Sequence, residues 1–274
     1  MRISYKLSGV ITAGVALAAV ASPTRQASIV VCSPGSPGTT DDAKPAMEAF
    51  AAAASSKAGT SISAIYEPSE EKGVARIKEA SIAIVSLPFF VKHENELGLH
   101  PRLEVVQKGR PPLDTWTLVA PAGGGKDARS LSGFTIVSTV SFAPAFVRGV
   151  IRDLPVDAKL VQSTAVLSAL RRAAGGEQVA VLLDGPQGAA LATLPFASKL
   201  TVIAHSPALP AAIVATVDAR LTDDAWRGIE AALLGLADDR SAAGALDGIQ
   251  IARLTRIDDH ALAVARNAYV EGAR

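Results

Sequence analysis

Three hydroxyl-bearing residues lie where a predicted strand meets a predicted helix near the middle of the chain. Ser138, Thr139 and Ser141 follow a β-branched run at 135–137 and precede a helix predicted over about 142–152. The first turn of a helix leaves backbone N–H groups without partners and carries the positive end of the helix dipole. Donors gathered at one place predict a site for an anion or another polar ligand. Helix capping alone is the competing interpretation of these residues.

Further candidates stand after the other predicted strands. In open α/β sheets ligands bind beyond the carboxyl ends of the strands, and this rule selects the residues at those ends. The additional candidates are Ser33, Gly35, Thr39, Thr40, Ser86, Leu87, Phe89, Gln162, Ser163 and Asp184. Turn formation and capping are the simpler roles for such Ser and Thr residues. Asp184 is suited either to accept hydrogen bonds from a ligand or to cap the helix predicted from residue 186.

The sequence offers no pattern for catalysis or metal binding. It lacks the Gly-x-Ser-x-Gly motif of a nucleophile elbow, and Asp184 has no identifiable acid–base partner. The histidines show no pair at the i,i+4 spacing of a zinc site. They are His93, His100, His205 and His260. We therefore expect a binding protein with no catalytic residue, cofactor or metal, and an enzyme on the same scaffold is the least favoured alternative.

The N-terminus carries the features of a secretory signal peptide. Arg2 and Lys6 precede an apolar run at 10–20 that is too short to span a bilayer. Ala19 and Ala21 then form the small-x-small pattern of a cleavage site. We expect a signal peptide over residues 1–21 and export to the periplasm, whereas a buried N-terminal helix is the alternative. Cys32 lies within a strand-like run, so a lipoprotein anchor is not expected.

Composition limits the possible partners. The 27 Lys and Arg residues nearly balance the 26 Asp and Glu residues, for a net charge of +1. Such a balance argues against broad attraction to nucleic acid or to an anionic membrane. A hydrophobic content of 49% with 19% charged residues is typical of a globular protein, and one Cys excludes an internal disulfide. A mature chain of about 250 residues suits two lobes, and we expect a monomer.

Short apolar runs alternate with helical stretches along the chain, which predicts largely parallel sheets flanked by helices. The strands are predicted at 28–33, 61–66, 81–85, 103–107, 115–120, 135–137, 158–162, 179–183, 200–204 and 211–217. The helices are predicted at 41–57, 69–80, 89–97, 142–152, 164–174, 186–194, 223–236 and 258–270. The glycine run at 123–125 is the strongest linker signal, and we expect a hinge there.

The order of these segments resembles the type II periplasmic solute-binding proteins, most closely the phosphate/phosphite/phosphonate-binding family of ABC importers. The resemblance is carried by the strand at 82–85, the Ser-Leu-Ser-Gly stretch at 130–133, the Ser-Pro-Ala-Leu-Pro stretch at 206–210, and the acids Asp223 and Asp224. It implies an α/β fold of two lobes, each a mostly parallel sheet flanked by helices, with a ligand cleft between them. Lobe one would span 28–120 and 206–274, and lobe two 121–205.

The chain departs from the family pattern at two places, which leaves the ligand open. Phe142 stands where the second-lobe helix start would carry a small Gly, and the stretch at 86–90 lacks the Tyr that the first lobe often contributes. The resemblance favours a phosphonate- or phosphate-like anion captured for an ABC transporter permease. The alternative is a transporter-independent receptor that serves a membrane sensor, or a carrier of a neutral or apolar ligand. Phe142 and Phe89 would then line an apolar pocket.

Overall fold

Helices and strands alternate along residues 26–274, which are the residues that the computed structural model describes. The predicted signal peptide at 1–21 lies outside them. The strands are β1 (Ala27–Cys32), β2 (Ile62–Glu67), β3 (Ile82–Ser86), β4 (Leu99–Gln107), β5 (Leu113–Asp114), β6 (Thr117–Pro121), β7 (Thr135–Ser138), β8 (Lys159–Gln162), β9 (Val179–Leu183), β10 (Leu200–His205), β11 (Leu209–Pro210), β12 (Ala212–Val217) and β13 (Ile251–Arg256).

The helices of the described residues are mostly short. They are α1 (Thr40–Ala58), α2 (Glu70–Ile77), α3 (Leu87–His93), α4 (Pro144–Val150), α5 (Val166–Ala174), α6 (Gly185–Ala190), α7 (Asp223–Leu234), α8 (Ala243–Gly248) and α9 (Asp259–Gly272). None of these helices has the length and apolar character needed to cross a membrane. The sequence predicted all of them except α8, and among the strands it missed β13 and the two-residue strands β5 and β11.

The strands form two main sheets, which are the centres of the two lobes. The first sheet has six strands in the order β13-β4-β12-β3-β1-β2, and the second has five in the order β10-β6-β9-β7-β8. A two-strand ladder of β5 and β11 lies where the chain passes between the sheets. We call the part built on the six-stranded sheet the first lobe and the part built on the five-stranded sheet the second lobe.

The strand directions are mixed, whereas mostly parallel sheets were expected. β1 pairs in parallel with β2 and β3, and β7 pairs in parallel with β8 and β9. All the remaining pairs within the two sheets are antiparallel. β6 and β12 run against their neighbours because each follows a crossing strand and enters its sheet from the side that faces the other lobe.

The passage between the lobes lies earlier in the chain than the sequence suggested. β6 pairs with β9 and β10, so the strand at Thr117–Pro121 belongs to the second sheet although the expected boundary followed residue 120. The glycine run at 123–125 forms a turn after β6, in which the Gly124 N–H donates to the Pro121 carbonyl at 2.8 Å. The β5–β11 ladder, and not this turn, joins the lobes.

One apolar core continues through both lobes. It contains Val85 and Phe90 from the first lobe, Leu118 and Phe146 from the second, and Leu262 from α9. Two further clusters cover the outer faces, where α1 and α7 pack on the first sheet and α5 packs on the second. The inner layer therefore holds α3, α4 and α9 between the sheets.

Candidate functional site

A small cleft lies between the two sheets at the β5–β11 ladder. Its walls come from the ends of β1, β3 and β4, from the turn after β7, from the start of α6 and from both crossing segments. The enclosed volume is about 90 Å³. Because a water molecule occupies about 30 Å³ in the liquid, the cleft has space for a solute of only a few heavy atoms.

One wall of the cleft carries hydroxyl groups. Ser33 and Ser36 follow β1, and their Oγ atoms share a hydrogen bond of 2.8 Å. Ser86 ends β3, and its Oγ is buried without a hydrogen-bond partner. Thr139, which follows β7, is half-buried and faces the cleft from the second lobe.

Two carboxylates form the opposite part of the cleft. Asp184 caps α6, where its side chain accepts from the Gln187 N–H at 2.9 Å while the Gln187 side chain accepts from the Asp184 N–H. Asp114 accepts from Arg110 Nε at 2.6 Å and from the Thr115 N–H at 2.8 Å. A Cβ atom on Gly185 would overlap the Asp114 carboxylate, so the glycine leaves room for it. The first turn of α6 therefore lies between both acids.

Burial raises the pKa of the Asp184 carboxyl. The negative charge of Asp114 acts in the same direction, whereas the backbone N–H of Gln187 and the positive charge of Arg110 lower the pKa. The result is a pKa above the ordinary value of an Asp, because removal from water disfavours the charged form. Asp184 thus retains its proton, and its ability to donate a hydrogen bond, to a higher pH than a solvated Asp.

Trp116 supplies an aromatic surface to the cleft. Its backbone N–H donates to Ser206 Oγ at 2.8 Å, and its carbonyl accepts from the Ser206 N–H at 2.9 Å. Its ring meets Phe146 of α4 edge-on, with centroids 5.8 Å apart. Trp116 and Ser206 belong to the two crossing segments, so these contacts hold the floor of the cleft together.

The cleft brings together four of the residues that the sequence selected. Ser33, Ser86, Thr139 and Asp184 line it, and all four follow a strand at the edge that faces the other lobe. Gly35 lies beside them, where a Cβ atom would overlap the Thr139 carbonyl oxygen. These four residues come from both lobes, and their role in binding a ligand stays a prediction.

The other selected residues lie elsewhere. Thr39 caps α1, and Thr40 lies in a separate surface groove beside Tyr66. Leu87 and Phe89 are fully buried, because α3 turns its apolar side into the core. None of these four side chains lines the cleft.

The remaining second-lobe candidates support the turn that carries Thr139. Ser138 is fully buried and donates to the Leu182 carbonyl at 2.9 Å, and Ser163 accepts from the Ala165 N–H at 3.1 Å. Gln162 is exposed and donates to the Thr139 carbonyl at 3.4 Å. Ser141 is buried, does not line the cleft, and its Oγ has no hydrogen-bond partner.

Phe142 and Phe89 do not form the apolar pocket that a carrier of an apolar ligand would need. Phe142 is buried, with Lys92 Nζ 5.6 Å from the centre of its ring. Phe89 packs on His93, with ring centroids 4.6 Å apart. Both rings serve the core, and neither lines the cleft.

Sequence reasoning missed Gln107 at the end of β4 and the cleft residues of the crossing segments, namely Asp114, Thr115, Trp116, Leu209, Pro210 and Ala211. The segment that contains Asp114 and Trp116 reads as the start of an ordinary strand. The only available signal was their position, since a chain that crosses between two lobes must pass the floor of the cleft. Among residues 26–274, no group of His, Cys, Asp and Glu side chains is placed to hold a metal ion.

No protein-family model and no curated protein matches the chain. Solved structures do share its fold. A Xanthomonas citri protein bound to chloride ion superimposes with a TM-score of 0.71 at 13% identity, covering 90% of this chain and 98% of that one. The PhnD1 protein of Prochlorococcus marinus, in complex with methylphosphonate, gives a TM-score of 0.64 at 11% identity, covering 89% and 97%. The fold is that of a type II periplasmic solute-binding protein.

A third structure agrees with this assignment. The binding protein component of an ABC phosphonate transporter from Pseudomonas aeruginosa gives a TM-score of 0.64 at 16% identity, covering 91% of this chain and 87% of that one. The two-lobed α/β fold predicted from the sequence is confirmed. These neighbours are binding proteins, and identities this low establish the fold alone.

Proposed function

We propose that this chain is an exported receptor that captures a small solute in the cleft between its lobes. The observation that carries the proposal is the composition of the cleft, whose polar residues come from both sheets and from the crossing segment that contains Asp114 and Thr115. A ligand that contacts both walls favours the closed arrangement of the lobes over an open one. Such a site binds and releases a solute without chemical change, so we propose no catalytic role.

The favoured solute is a small phosphonate- or phosphate-like oxyanion. The hydroxyls of Ser33, Ser86 and Thr139 are suitable donors to oxyanion oxygens, and Ser86 lacks any other partner. The raised pKa of Asp184 means that its carboxyl keeps the proton, and with it the ability to donate a hydrogen bond, to a higher pH than a solvated Asp does. The cleft volume of about 90 Å³ limits the ligand to a headgroup with at most a short substituent.

A neutral solute is the second candidate, and the charge of the cleft favours it. Asp114 and Asp184 both line the cleft, whereas no Lys, Arg or His does so among the described residues. Arg110 is close, but its guanidinium is paired with Asp114. A doubly charged anion would meet two acids without a free cation, so a singly charged or neutral solute fits this cleft better.

We further propose that the receptor acts as a monomer in the periplasm and delivers its solute to an ABC transporter permease. A membrane sensor is the alternative partner, and nucleic acid is not a proposed partner. The two lobes would correspond to residues 26–112 with 212–274 and to residues 117–205, joined by the two crossing segments. This division follows the strand order of the two sheets.

Ligand identity is tested by following Trp116. In a Trp226→Phe variant Trp116 is the only tryptophan, and its emission reports on the cleft. The panel contains inorganic phosphate, methylphosphonate, a neutral polyol, an amino acid and a fatty acid. A ligand at about 100 times its Kd adds about 2.7 kcal/mol of stability, so the melting temperature should also rise by about 5–10 °C.

A saturable change with the phosphorus oxyanions alone would support the favoured solute. A response to the polyol or amino acid alone would select the second candidate. Thr139→Ala should weaken the response, whereas Thr164→Ala, an exposed change in the same lobe, should leave it intact. If no compound of the panel alters emission or melting, the proposed solute classes are wrong.

A further inference from the structure

Two helices of the inner layer cross with their backbones in contact. A Cβ atom on Gly149 of α4 would overlap the Ala268 carbonyl oxygen of α9, and one on Gly272 would overlap the Ala145 carbonyl oxygen. We call this contact, made by Gly149 and Gly272, the glycine crossing. α4 lies closer to α9 than to the strands of its own sheet. Only glycine permits so short a distance between two helix backbones.

The inner side of the glycine crossing faces buried apolar side chains, and its outer side opens to a surface groove. Phe146 and Val150 of α4 and Leu262 and Ala265 of α9 belong to the core that runs through both lobes. Separating the helices would expose these side chains to water at about 25 cal/mol per Å² of apolar surface. The contact is therefore expected to persist when the lobes move.

A second contact between the lobes has the opposite character. A Cβ atom on Gly35 of the first lobe would overlap the Thr139 carbonyl oxygen of the second and lie 3.0 Å from the Thr139 Cβ. Both residues are half-buried, and they border the cleft. We call this contact the lip. Ser33, Ser36 and Ser86 line the cleft beside it, so we expect opening the lip to expose less apolar surface than separating α4 from α9.

We propose that the second lobe rotates about the glycine crossing, and that the cleft opens at the lip. The proposal rests on the proposed function in supposing that the cleft must open to exchange a solute. α9 lies beside β11 of the crossing ladder, so the glycine crossing and the ladder are adjacent and can share one axis. The helices roll on each other while the lip separates, as in domain motions that keep a packed interface.

The motion is measured by distances between paired spin labels in the ligand-free protein. Labels at Lys44 and Thr164 span the two lobes on the cleft side, and labels at Asn267 and Arg152 span the glycine crossing; all four side chains are exposed. The native Cys32 does not react with the label, because its thiol is fully buried and burial raises its pKa to about 12.

A wedge at the lip then forces the opening. Gly35→Ala places a methyl group against the Thr139 carbonyl, and Gly38→Ala is the matched control. Both glycines have positive φ, 84° and 92°, but no atom lies within 4 Å of a Cβ at Gly38. Thr139→Phe provides a second wedge from the other lobe, in case Gly35→Ala does not fold.

The expected result is a longer Lys44–Thr164 distance in either wedge variant, an unchanged Asn267–Arg152 distance, and no change in Gly38→Ala. An increase in both distances would show that the whole second lobe detaches, and an unchanged Lys44–Thr164 distance would show that the lip does not control opening. Either result overturns the proposal. Since no solute is present, the outcome is independent of whether the proposed solute classes are right.

Discussion

The two places where the lobes meet differ in almost every physical respect. The glycine crossing, made by Gly149 of α4 and Gly272 of α9, joins two helix backbones beside a continuous apolar core, and its outer side opens to a surface groove. The cleft with its lip is small and polar, with the carboxylates of Asp114 and Asp184 and an unpartnered hydroxyl on Ser86. The difference shows how one fold can hold its lobes together permanently at one contact and leave the other contact to respond to a solute.

The largest expected effect comes from filling the glycine crossing. Gly149→Ala should lower the free energy of unfolding by about 1–3 kcal/mol, because the two helix backbones must move apart. Gly228→Ala is the matched control in α7, where a Cβ atom meets nothing within 4 Å. The control should be neutral or stabilise by up to about 1 kcal/mol through helix propensity. Denaturation midpoints measure the stability of both variants. If Gly149→Ala is as stable as Gly228→Ala, the two helix backbones are not tightly packed at the glycine crossing.

A smaller effect is expected from a polar contact beside the glycine crossing. Lys92 Nζ donates to the Phe142 carbonyl at 2.7 Å and pairs with Glu70 at 2.5 Å, which connects the first lobe to the turn before α4. Lys92→Met removes the donor and should cost about 1 kcal/mol. Lys72→Met, at an exposed position of α2, should leave the unfolding midpoint unchanged. If Lys92→Met has the same unfolding midpoint as Lys72→Met, the Lys92 hydrogen bond does not stabilise the contact between the lobes.

The buried Asp184 of the cleft should make the free energy of unfolding depend on pH. The raised pKa of Asp184 means that the folded state binds its proton more tightly than the unfolded state. Stability is therefore lost as the pH rises from the unfolded value of about 3.9 through the folded pKa. Asp184→Asn keeps a capping residue and removes this loss, so the variant should gain stability relative to the parent across that range.

Asp157 offers a control of opposite sign. Its carboxylate accepts from Ser132 Oγ at 2.6 Å, a hydrogen bond that lowers its pKa. In Asp157→Asn the stability relative to the parent should fall as the pH rises from the lowered folded pKa of Asp157 to the unfolded value of about 3.9, a window that lies below that of Asp184. Unfolding curves from about pH 2 to pH 7, on both sides of the ordinary Asp value, distinguish the two trends. Parallel behaviour of the two variants would contradict the burial of Asp184.

The smallest effect on stability is expected from the hydroxyls near the cleft. Replacing Thr139 and Ser141 together by Ala should leave the melting temperature of the empty protein nearly unchanged, since neither side-chain oxygen has a recorded hydrogen bond. Solute binding should weaken, because Thr139 lines the cleft. Titration of the Trp116 emission measures the loss. Binding equal to that of the parent would remove Thr139 from the site.

The alternation of strands and helices could be read from the sequence because apolar runs of five or six residues stand between amphipathic segments. Strand direction could not, since β6 and β12 reverse only because the chain enters each sheet from the other lobe. α8 begins without a side-chain cap, and β13 buries only Ile251 and Leu254, which gives neither a continuous apolar run nor strict alternation, so both were missed. Local signals therefore identify elements more readily than they identify the path between lobes.

The residues of the candidate site also differ in how far the sequence predicts them. Ser33, Ser86, Thr139 and Asp184 follow strands, and the strand-end rule selects them. The same rule also selected Thr39, Ser138 and Ser163, whose side chains are occupied with capping or backbone contacts. The strand-end rule did not select Asp114 and Trp116, because their position in the cleft depends on where the chain passes from one lobe to the other. A residue's position along a strand predicts which edge it reaches, and not whether its side chain is free.

The outer strand of the second sheet bears on how the protein behaves at high concentration. β8 is four residues long and pairs with β7 on one side only among the described strands. An unpaired edge can recruit a strand from another molecule, which is the usual start of edge-to-edge aggregation. Here the short length and the exposed Lys159 oppose such addition, because a second copy would find few backbone groups to pair with and would bring its own lysine close to the first.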